Sequence, residues 1–328
     1  MSNQQPGRNL ALELVRATEA GAMGAGRYMG RGDKEGGDQA AVDGMRHVLN
    51  TIEMNGLVVI GEGEKDEAPM LYNGEILGTG EPPEMDIAVD PIDGTTLLAK
   101  GRPNSIATIA IAPRGTMYDP GPFVYMDKIA VGPKCVGLID IEKPVEENLK
   151  AIGEALRKDP DDITTLVLDR ERHEELVKEL RRCGARIRLI TDGDVAGALM
   201  TAWPDSGIDV LFGIGGTPEG VLAACALRSM GGEIQGKLYA RNEDELARGR
   251  EMGYDFDKVL TMDDLVSSED VFFAATGITD GELLRGVTYF GGGAETDSLV
   301  IRGKTGTVRR VTARHSLDKI EQISGVQY

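Results

Sequence analysis

The sequence predicts an α/β protein in which helices and strands are stacked in layers. The first 50 residues carry apolar side chains at helical spacing, and short apolar runs typical of buried strands follow them. From about residue 140 strands and helices alternate regularly, as in α/β units. We expect two parts, residues 1–150 and 151–328, divided somewhere within residues 143–156.

The N-terminal part begins with two predicted helices. Residues 9–28 are apolar at helical spacing, the glycine-rich stretch GRGDKEGGD at 30–38 ends this helix, and QAAVDGM starts the second. Three apolar runs then predict buried strands: LVVIG at 57–61, MDIAVD at 85–90 and IATIAIA at 106–112.

The C-terminal part alternates between the two kinds of element. Predicted strands TTLVLD, RIRLIT and VLFGIGG, which start at residues 164, 186 and 210, are each followed by a predicted helix. Later strands are expected in VFFAATG and SLVIRG.

Composition and charge narrow the class of protein. With 54 acidic and 36 basic residues the net charge is −18, which argues against binding to nucleic acid or to an anionic membrane surface. The three cysteines form no CxxC motif, which favours a reducing compartment without disulfides. No signal peptide and no apolar run of about 20 residues are visible, so we expect a cytoplasmic protein.

Common catalytic and nucleotide motifs fail at their defining residues. The chain has only three histidines and no GxSxG turn, so a Ser-His-Asp site is not favoured. In RGKTGT, Ser298 stands where a P-loop needs its first glycine, and in GIGGTPEG, Pro218 replaces the last glycine of GxGxxG.

Carboxylates at strand ends remain as the chemical signal. Asp90 and Asp93 follow a predicted buried strand in VDPIDGTT, and their oxygens would suit Mg²⁺ or Mn²⁺. The same octapeptide would equally suit a turn that ends the strand. These eight residues alone do not decide between the two interpretations.

Other turns repeat this arrangement. GEGEKDEAP, directly after the strand at 57–61, contains Glu62 and three further acids and is either a solvated charged run or, for Glu62 at least, a functional turn. Asp38 precedes the second helix as a possible N-cap. TDGD and TPEG each place a carboxylate between a strand and a helix, where phosphate can bind to free N–H groups.

Cationic side chains follow one predicted strand. Arg170 and Arg172 would either clamp an anionic group or simply begin a charged surface helix. Together with the acidic turns they predict metal-dependent phosphate chemistry, in which ions neutralise a phosphate and activate water.

The motifs also resemble a known family. DPIDGTT is similar to the signature of the lithium-sensitive, metal-dependent sugar and inositol phosphatases. The wider set, which includes GRGDK, VVIGEGE.DEAPMLY.GE, DIAVDPIDGTT, YM.K.AVGP, TDGDVA, GIGGTPEG and ATGIT.G, resembles the bacterial class II fructose-1,6-bisphosphatases from about residue 9 to about residue 315.

This resemblance implies a fold, a reaction and a set of ligands. The implied fold is the layered α-β-α-β-α sandwich of the sugar phosphatases, and the implied reaction is hydrolysis of the 1-phosphate of fructose 1,6-bisphosphate with Mg²⁺ or Mn²⁺. By their positions in the motifs, Asp38 and Glu62 would hold one ion, and Asp90, Asp93 and Glu219 the other.

The resemblance also implies roles for residues around the ions. Thr95 would position or activate the attacking water, and Lys34 and Asp66 would lie near the reacting phosphate. The sugar phosphate would be bound by the following residues: Asp93, Gly94, Thr95, Tyr125, Arg170, Arg172, Asp192, Asp194 and Gly216.

Two alternatives stay open at this point. The enzyme could also accept sedoheptulose 1,7-bisphosphate, or the chain could be a metal- or anion-binding regulatory protein without turnover. An inositol or nucleotide monophosphatase is less favoured, because only DPIDGT is shared with those families. Relatives are typically oligomers, so we expect a homodimer or homotetramer.

Overall fold

The computed structural model describes residues 9–62 and 71–324, which form two β-sheets separated and covered by helices. The strands in these ranges are β1 (Asn55–Ile60), β2 (Ile76–Leu77), β3 (Glu84–Asp93), β4 (Ile106–Pro113), β5 (Tyr125–Val131), β6 (Thr164–Leu168), β7 (Arg186–Ile190), β8 (Val210–Gly216), β9 (Glu233–Leu238), β10 (Phe272–Gly277), β11 (Thr288–Phe290), β12 (Gly293–Arg302) and β13 (Thr307–Ser316).

The helices in the same ranges lie between and outside the sheets. They are α1 (Ala11–Gly26), α2 (Lys34–Leu49), α3 (Thr95–Ala99), α4 (Val145–Leu156), α5 (Glu174–Arg182), α6 (Asp194–Ala202), α7 (Thr217–Met230), α8 (Glu243–Glu251), α9 (Met262–Leu265) and α10 (Leu317–Ser324). None of them combines the length and the apolar character that crossing a bilayer requires.

The larger sheet has eight strands in the order β11-β12-β10-β4-β3-β1-β2, with β13 paired to β12. Its β1 and β3 run parallel, so their carboxyl ends meet at one edge. The smaller sheet has the order β7-β6-β8-β5-β9. Here β6 is parallel to β7 and β8, whereas β5 is antiparallel to β8, so Tyr125 at the start of β5 lies opposite Gly216 at the end of β8.

Alternating side chains of the strands build three apolar layers. Ile87 and Val89 of β3 pack with α1 and α2 on the outside of the large sheet, while Ala88 faces the space between the sheets. That space is filled mainly by α6 and α7. On the far side of the small sheet, Ile129 and Phe212 pack against α4 and α5. The order is therefore α-β-α-β-α, and the predicted layered sandwich is confirmed.

The predicted elements correspond to observed ones with shifted ends. The helix expected at 9–28 is α1, and the strands expected at 57, 85, 106, 164, 186 and 210 are β1, β3, β4, β6, β7 and β8. The strand expected to end at Asp90 continues to Asp93, with its pairing to β4 irregular between these two residues. The division expected within residues 143–156 coincides with α4 and stays a prediction.

One alternative for Asp38 is excluded. The second helix begins at Lys34 rather than after Asp38, and its N-cap is Asp33, whose side chain accepts a hydrogen bond from the Gly36 N–H at 2.9 Å. Asp38 therefore lies inside α2, one turn beyond Lys34, and its carboxylate is not an N-cap.

Candidate active site

The carboxyl ends of β1, β3, β7 and β8 bring most of the predicted acidic residues together. Burial and mutual electrostatic interactions join these acids into one continuous group, which consists of Asp38, Glu62, Asp90, Asp93, Asp192, Asp194 and Glu219. In sheets with parallel strands this edge is where ligands bind.

Asp90 and Asp93 are buried at the end of β3, with 7% and 3% of their surface exposed. Asp90 accepts a hydrogen bond from the Ile92 N–H at 2.9 Å, and Asp93 accepts one from the Ala196 N–H at 3.0 Å. Each of these bonds uses one carboxylate oxygen. Burial, reinforced by neighbouring carboxylates, raises the pKa of both groups well above the ordinary value.

The turn after β3 depends on Gly94. Its φ of +91° is in the left-handed region that glycine adopts readily, and a Cβ here would lie 2.9 Å from Leu97. The chain can therefore enter α3 directly, with Thr95 as its first residue. The Thr95 hydroxyl donates a hydrogen bond to the Ile92 carbonyl at 3.2 Å.

Thr96 joins two predicted site residues, although sequence reasoning gave it no role. Its hydroxyl accepts a hydrogen bond from the Lys34 ammonium at 2.9 Å, and its N–H donates to the Asp192 carboxylate at 3.1 Å. Lys34 is thereby brought from α2 to the turn that follows β3.

Asp38 and Glu62 face the same acidic group from α2 and from the end of β1. Burial raises the pKa of Asp38 to about 6, opposed by the charge of Lys34. Burial and then the charge of Asp38 raise the pKa of Glu62 to about 7, where its carboxyl group lies against that of Asp90.

Glu219 enters the group from the first turn of α7. Its carboxylate folds back over the end of β8, so closely that a Cβ at Gly216 would lie 1.6 Å from one of its oxygens. Burial, followed by the charge of Asp194, raises the pKa of Glu219 to about 7.

The acidic group has the chemistry of a hard-cation site. Among the residues that the structure describes, one oxygen of Asp38 and one of Glu219 are buried without a hydrogen-bond partner, and such groups are costly unless something satisfies them. The raised pKa values show the same imbalance, because burial disfavours the charged form of these carboxylates and their acidic neighbours then repel them. A divalent cation would bind the unpartnered oxygens and would also offset the negative charge of the group.

The carboxylates are gathered but not fully converged. Within residues 9–62 and 71–324, no three acidic, histidine or cysteine side chains already stand as a ready metal-binding group. Asp66, which sequence analysis placed near the phosphate, lies outside the described residues, as do Glu64 and Glu67.

A second, cationic region adjoins this group where β5, β6 and β8 meet. Arg172 donates two hydrogen bonds to the Ile214 carbonyl, at 3.1 and 2.8 Å, and its guanidinium lies 5.2 Å from the centre of the Tyr125 ring. Arg241, which sequence reasoning missed, lies 5.9 Å from the same ring. Arg170 is exposed and donates to the Asp169 carbonyl at 3.1 Å.

His173 is buried and holds the backbone of this region in place through two hydrogen bonds. Its Nδ1 is 2.7 Å from the Leu168 carbonyl, and its Nε2 accepts a hydrogen bond from the Ile214 N–H at 2.7 Å. These two bonds require a neutral ring protonated at Nδ1, and burial lowers the pKa of His173 accordingly. The backbone of Ile214 is thus held at its N–H by His173 and at its carbonyl by Arg172.

The carboxylate of Asp194, a predicted substrate-binding residue, is already engaged in an ion pair. Its carboxylate is paired with the buried ammonium of Lys128, a residue in the YM.K.AVGP motif to which sequence analysis assigned no role. Charged residues in strands are easily interpreted as solvent-facing, and only the fold shows that this one faces the space between the sheets.

The volumes of the cavities do not identify the candidate site. A cavity of about 930 Å³, lined in part by Trp203, Met230 and Val308, lies away from the acidic group and contains none of its members. A smaller cavity of about 250 Å³ includes Leu97, Asp192 and Gly193 and borders the group.

Comparison with known proteins identifies similar chains. A family model described as bacterial fructose-1,6-bisphosphatase, glpX-encoded, matches residues 8–315. Fructose-1,6-bisphosphatase 1 class 2 of Escherichia coli K12 is 44% identical over 325 residues, which cover 95% of this chain and 96% of the relative. The class 2 fructose-1,6-bisphosphatases of Escherichia coli O6:H1 and Shigella flexneri match with the same identity and coverage.

Proposed function

Because the chain belongs to the glpX-encoded family of bacterial fructose-1,6-bisphosphatases, we propose that it hydrolyses fructose 1,6-bisphosphate to fructose 6-phosphate and phosphate in gluconeogenesis. The single observation that carries this proposal is the 44% identity over 95% of the chain to a class 2 enzyme. The acidic group at the strand ends supports it, since the reaction needs a site that can neutralise a phosphate.

The proposed metal ligands come from two sides of this group. Asp38 and Glu62 would hold one Mg²⁺ or Mn²⁺ ion, and Asp90, Asp93 and Glu219 would hold another. The oxygens of Asp38 and Glu219 that have no hydrogen-bond partner among the described residues support these two residues as ligands. A bound ion would neutralise phosphate charge and make a water more acidic.

Thr95 is proposed to orient the attacking water. Thr95 is the first residue of α3, directly before Thr96, whose hydroxyl accepts the hydrogen bond from Lys34, and the Thr95 hydroxyl itself donates to the Ile92 carbonyl. Water attacks phosphorus and gives up a proton, the bond between phosphorus and the C1 oxygen breaks, and this oxygen takes up a proton as it leaves. Lys34 would stabilise the negative charge of the transferred phosphoryl group, and Asp66 is proposed to act nearby.

The sugar phosphate is proposed to lie across the cationic region. Arg172 and Arg170 would bind the 6-phosphate, and Tyr125 would pack against the sugar. The turns after β7 and β8 would complete the pocket through Asp192, Asp194, Gly94 and Gly216. The short distance between Tyr125 and the Arg172 guanidinium supports their acting together.

We also propose a cytoplasmic homo-oligomer, either a dimer or a tetramer. Among the described residues Cys135, Cys183 and Cys225 are free, in keeping with a reducing compartment. Sedimentation equilibrium would decide between the two assemblies.

The proposal is tested by phosphate release. The purified protein is incubated with fructose 1,6-bisphosphate and either Mn²⁺ or Mg²⁺, and ³¹P NMR identifies the sugar product. We expect fructose 6-phosphate, and no turnover once EDTA has removed the ions. Full activity in EDTA would contradict metal dependence, and no phosphate release with either ion would contradict the proposed reaction. Parallel assays with sedoheptulose 1,7-bisphosphate measure how selective the site is.

A further inference from the structure

Lys128 is a buried lysine inside the layer of helices between the two sheets. It lies on β5 with only 3% of its surface exposed, on the same face of the strand as Met126 and Ala130, which belong to the apolar core between the sheets. A buried ammonium is costly unless it is well paired. Its position therefore calls for specific partners.

The partners of Lys128 come from the starts of two helices. Its Nζ donates a hydrogen bond to the Asp194 carboxylate at 2.5 Å, at the first residue of α6, and another to the Gly216 carbonyl at 2.9 Å, at the N-cap of α7. Asp93 accepts from the first turn of α6, and Glu219 lies in the first turn of α7. One ammonium thus joins two helix starts on which proposed metal ligands depend.

The glycines of GIGGTPEG fit closely around this ion pair. A Cβ at Gly215 would lie 2.1 Å from an Asp194 oxygen and 2.8 Å from Lys128 Nζ, and one at Gly220 would lie 3.3 Å from Lys128 Cδ. The motif that resembles a dinucleotide turn is therefore explained here by the packing of a buried lysine. Its glycines make room for the ion pair.

We propose that Lys128 is a positioning residue, which holds the starts of α6 and α7 in the arrangement from which Asp93 and Glu219 can share an ion. This inference rests on the metal-dependent function proposed above. It assigns Lys128 no contact with the substrate. Lys128 is proposed to act by holding the metal ligands in position, not through the effect of its positive charge on the ion. If only charge mattered, removing this cation would strengthen binding of a divalent ion nearby.

Two variants separate these effects. K128M removes the ammonium and keeps the length of the side chain, whereas G215A keeps both charges and forces them apart. We expect each to weaken Mn²⁺ binding by at least about 10-fold and to lower kcat by about 10²-fold, since misplaced ligands lose both ion and rate. Binding of Mn²⁺ alone is measured by electron paramagnetic resonance of the free ion, and kcat by phosphate release.

The matched control is K158M. Lys158 pairs with the largely buried Asp209 at 2.7 Å in the same half of the molecule, away from the acidic group. This variant should leave Mn²⁺ affinity and kcat unchanged, so an effect common to any broken lysine–aspartate pair would be recognised.

Folding of K128M is checked by circular dichroism. If it fails because Asp194 is left buried and unpaired, K128M/D194N removes both charges and should fold, still with weakened Mn²⁺ binding. Wild-type Mn²⁺ affinity in folded K128M, or in the double variant, would overturn the proposal. So would tighter Mn²⁺ binding in K128M together with unchanged binding in G215A.

The two proposals fail in different ways. If the wild-type protein releases no phosphate from fructose 1,6-bisphosphate, the proposed reaction fails, yet the Mn²⁺ measurements still decide the role of Lys128. If the wild-type protein is active and the variants bind Mn²⁺ as it does, only the role of Lys128 fails.

Discussion

The Asp93 carboxylate both stabilises the fold and belongs to the candidate site. Its Oδ2 accepts the Ala196 N–H in the first turn of α6, which links the end of a strand in the large sheet to a helix between the sheets. Its second oxygen is not needed for this bond. The same residue can therefore fix a helix and remain available to an ion.

Asp90 and Glu219 should matter more for rate than for folding. We expect D90N and E219Q each to lower kcat by at least about 10²-fold, because each removes the negative charge of a proposed ion ligand. D86N is the control, since Asp86 is equally buried in β3 but accepts hydrogen bonds from Thr116 and Met117 instead. Steady-state phosphate release measures the effect, and an unchanged kcat in folded D90N or E219Q would remove that residue from the site.

Thr95 distinguishes an enzyme from a binding protein, because a protein that only binds ions needs no hydroxyl beside them. T95A should lower kcat by about 10²-fold, the scale of assistance to proton transfer, with little change in KM. T95S, which keeps the hydroxyl, should retain most of the activity. Equal kcat values for T95A and the wild type would exclude the proposed handling of water.

Glu19 makes stability depend on pH. It is buried in α1, accepts a hydrogen bond from Thr296, and burial raises its pKa from 4.5 to about 7. The folded state therefore binds more protons than the unfolded state between these values, and the free energy of unfolding falls as pH rises through this window. A pKa change of this size corresponds to a loss on the order of a few kcal/mol.

E19Q should abolish this part of the pH dependence, because its neutral side chain does not ionise. Urea unfolding at pH 5 and pH 8 measures it, and E19Q should gain stability over the wild type only at the higher pH. E13Q removes an exposed charge from the same helix and serves as the control. An identical pH dependence in E19Q and the wild type would contradict the burial of a charge at Glu19.

At the scale of elements, the candidate site is built from strand ends and the helix starts that follow them. β3 leads into α3, β7 into α6 and β8 into α7, each with a glycine at the junction and a carboxylate within three residues of that glycine. This repetition made the acidic turns recognisable in the sequence. It also places free N–H groups of the longer helices α6 and α7 around the acidic group.

The start of α2 has a separate stabilising contact. Asp33 accepts the Gly36 N–H at 2.9 Å, so D33A should lower the free energy of unfolding by about 1 kcal/mol, the usual value of an N-cap. D33S can keep the bond and should lose much less. Urea titration compares the three proteins, and equal stability of D33A and D33S would show that the cap contributes nothing.

The strand β5 was missed from the sequence for a physical reason. Its residues YMDKIAV include Asp127 and Lys128, which interrupt the apolar run that identifies a buried strand. Lys128 is paired with Asp194, which is 66 residues away, and Asp127 accepts the backbone N–H of Lys128. β3 was predicted too short because Pro91 is a common strand terminator, yet here the strand passes through an irregularity instead.

For the whole molecule, alternation of strands and helices was enough to predict the class of fold, and the family resemblance supplied the order of layers. The turns that carry carboxylates could be found because each lies next to an apolar strand. Contacts between distant turns, such as Thr96 with both Lys34 and Asp192, could not be predicted from local pattern. They arise only when the layers are stacked.

The layered arrangement explains how an acidic chain can bind an anionic sugar phosphate. The net charge of −18 disfavours anions in general, but a divalent ion among the strand-end acids would invert the local field. The cationic region with Arg172 and Arg241 lies next to this point. Both β-sheets therefore contribute residues to the same candidate site.

The most direct test of this account is the position of the ions themselves. Crystals soaked with Mn²⁺ and fructose 1,6-bisphosphate, measured at the manganese absorption edge, locate each ion by anomalous scattering. We predict peaks about 2.1 Å from oxygens of Asp38 and Glu62 and of Asp90, Asp93 and Glu219, next to the 1-phosphate. Peaks elsewhere, or substrate bound with no ion at these carboxylates, would contradict it.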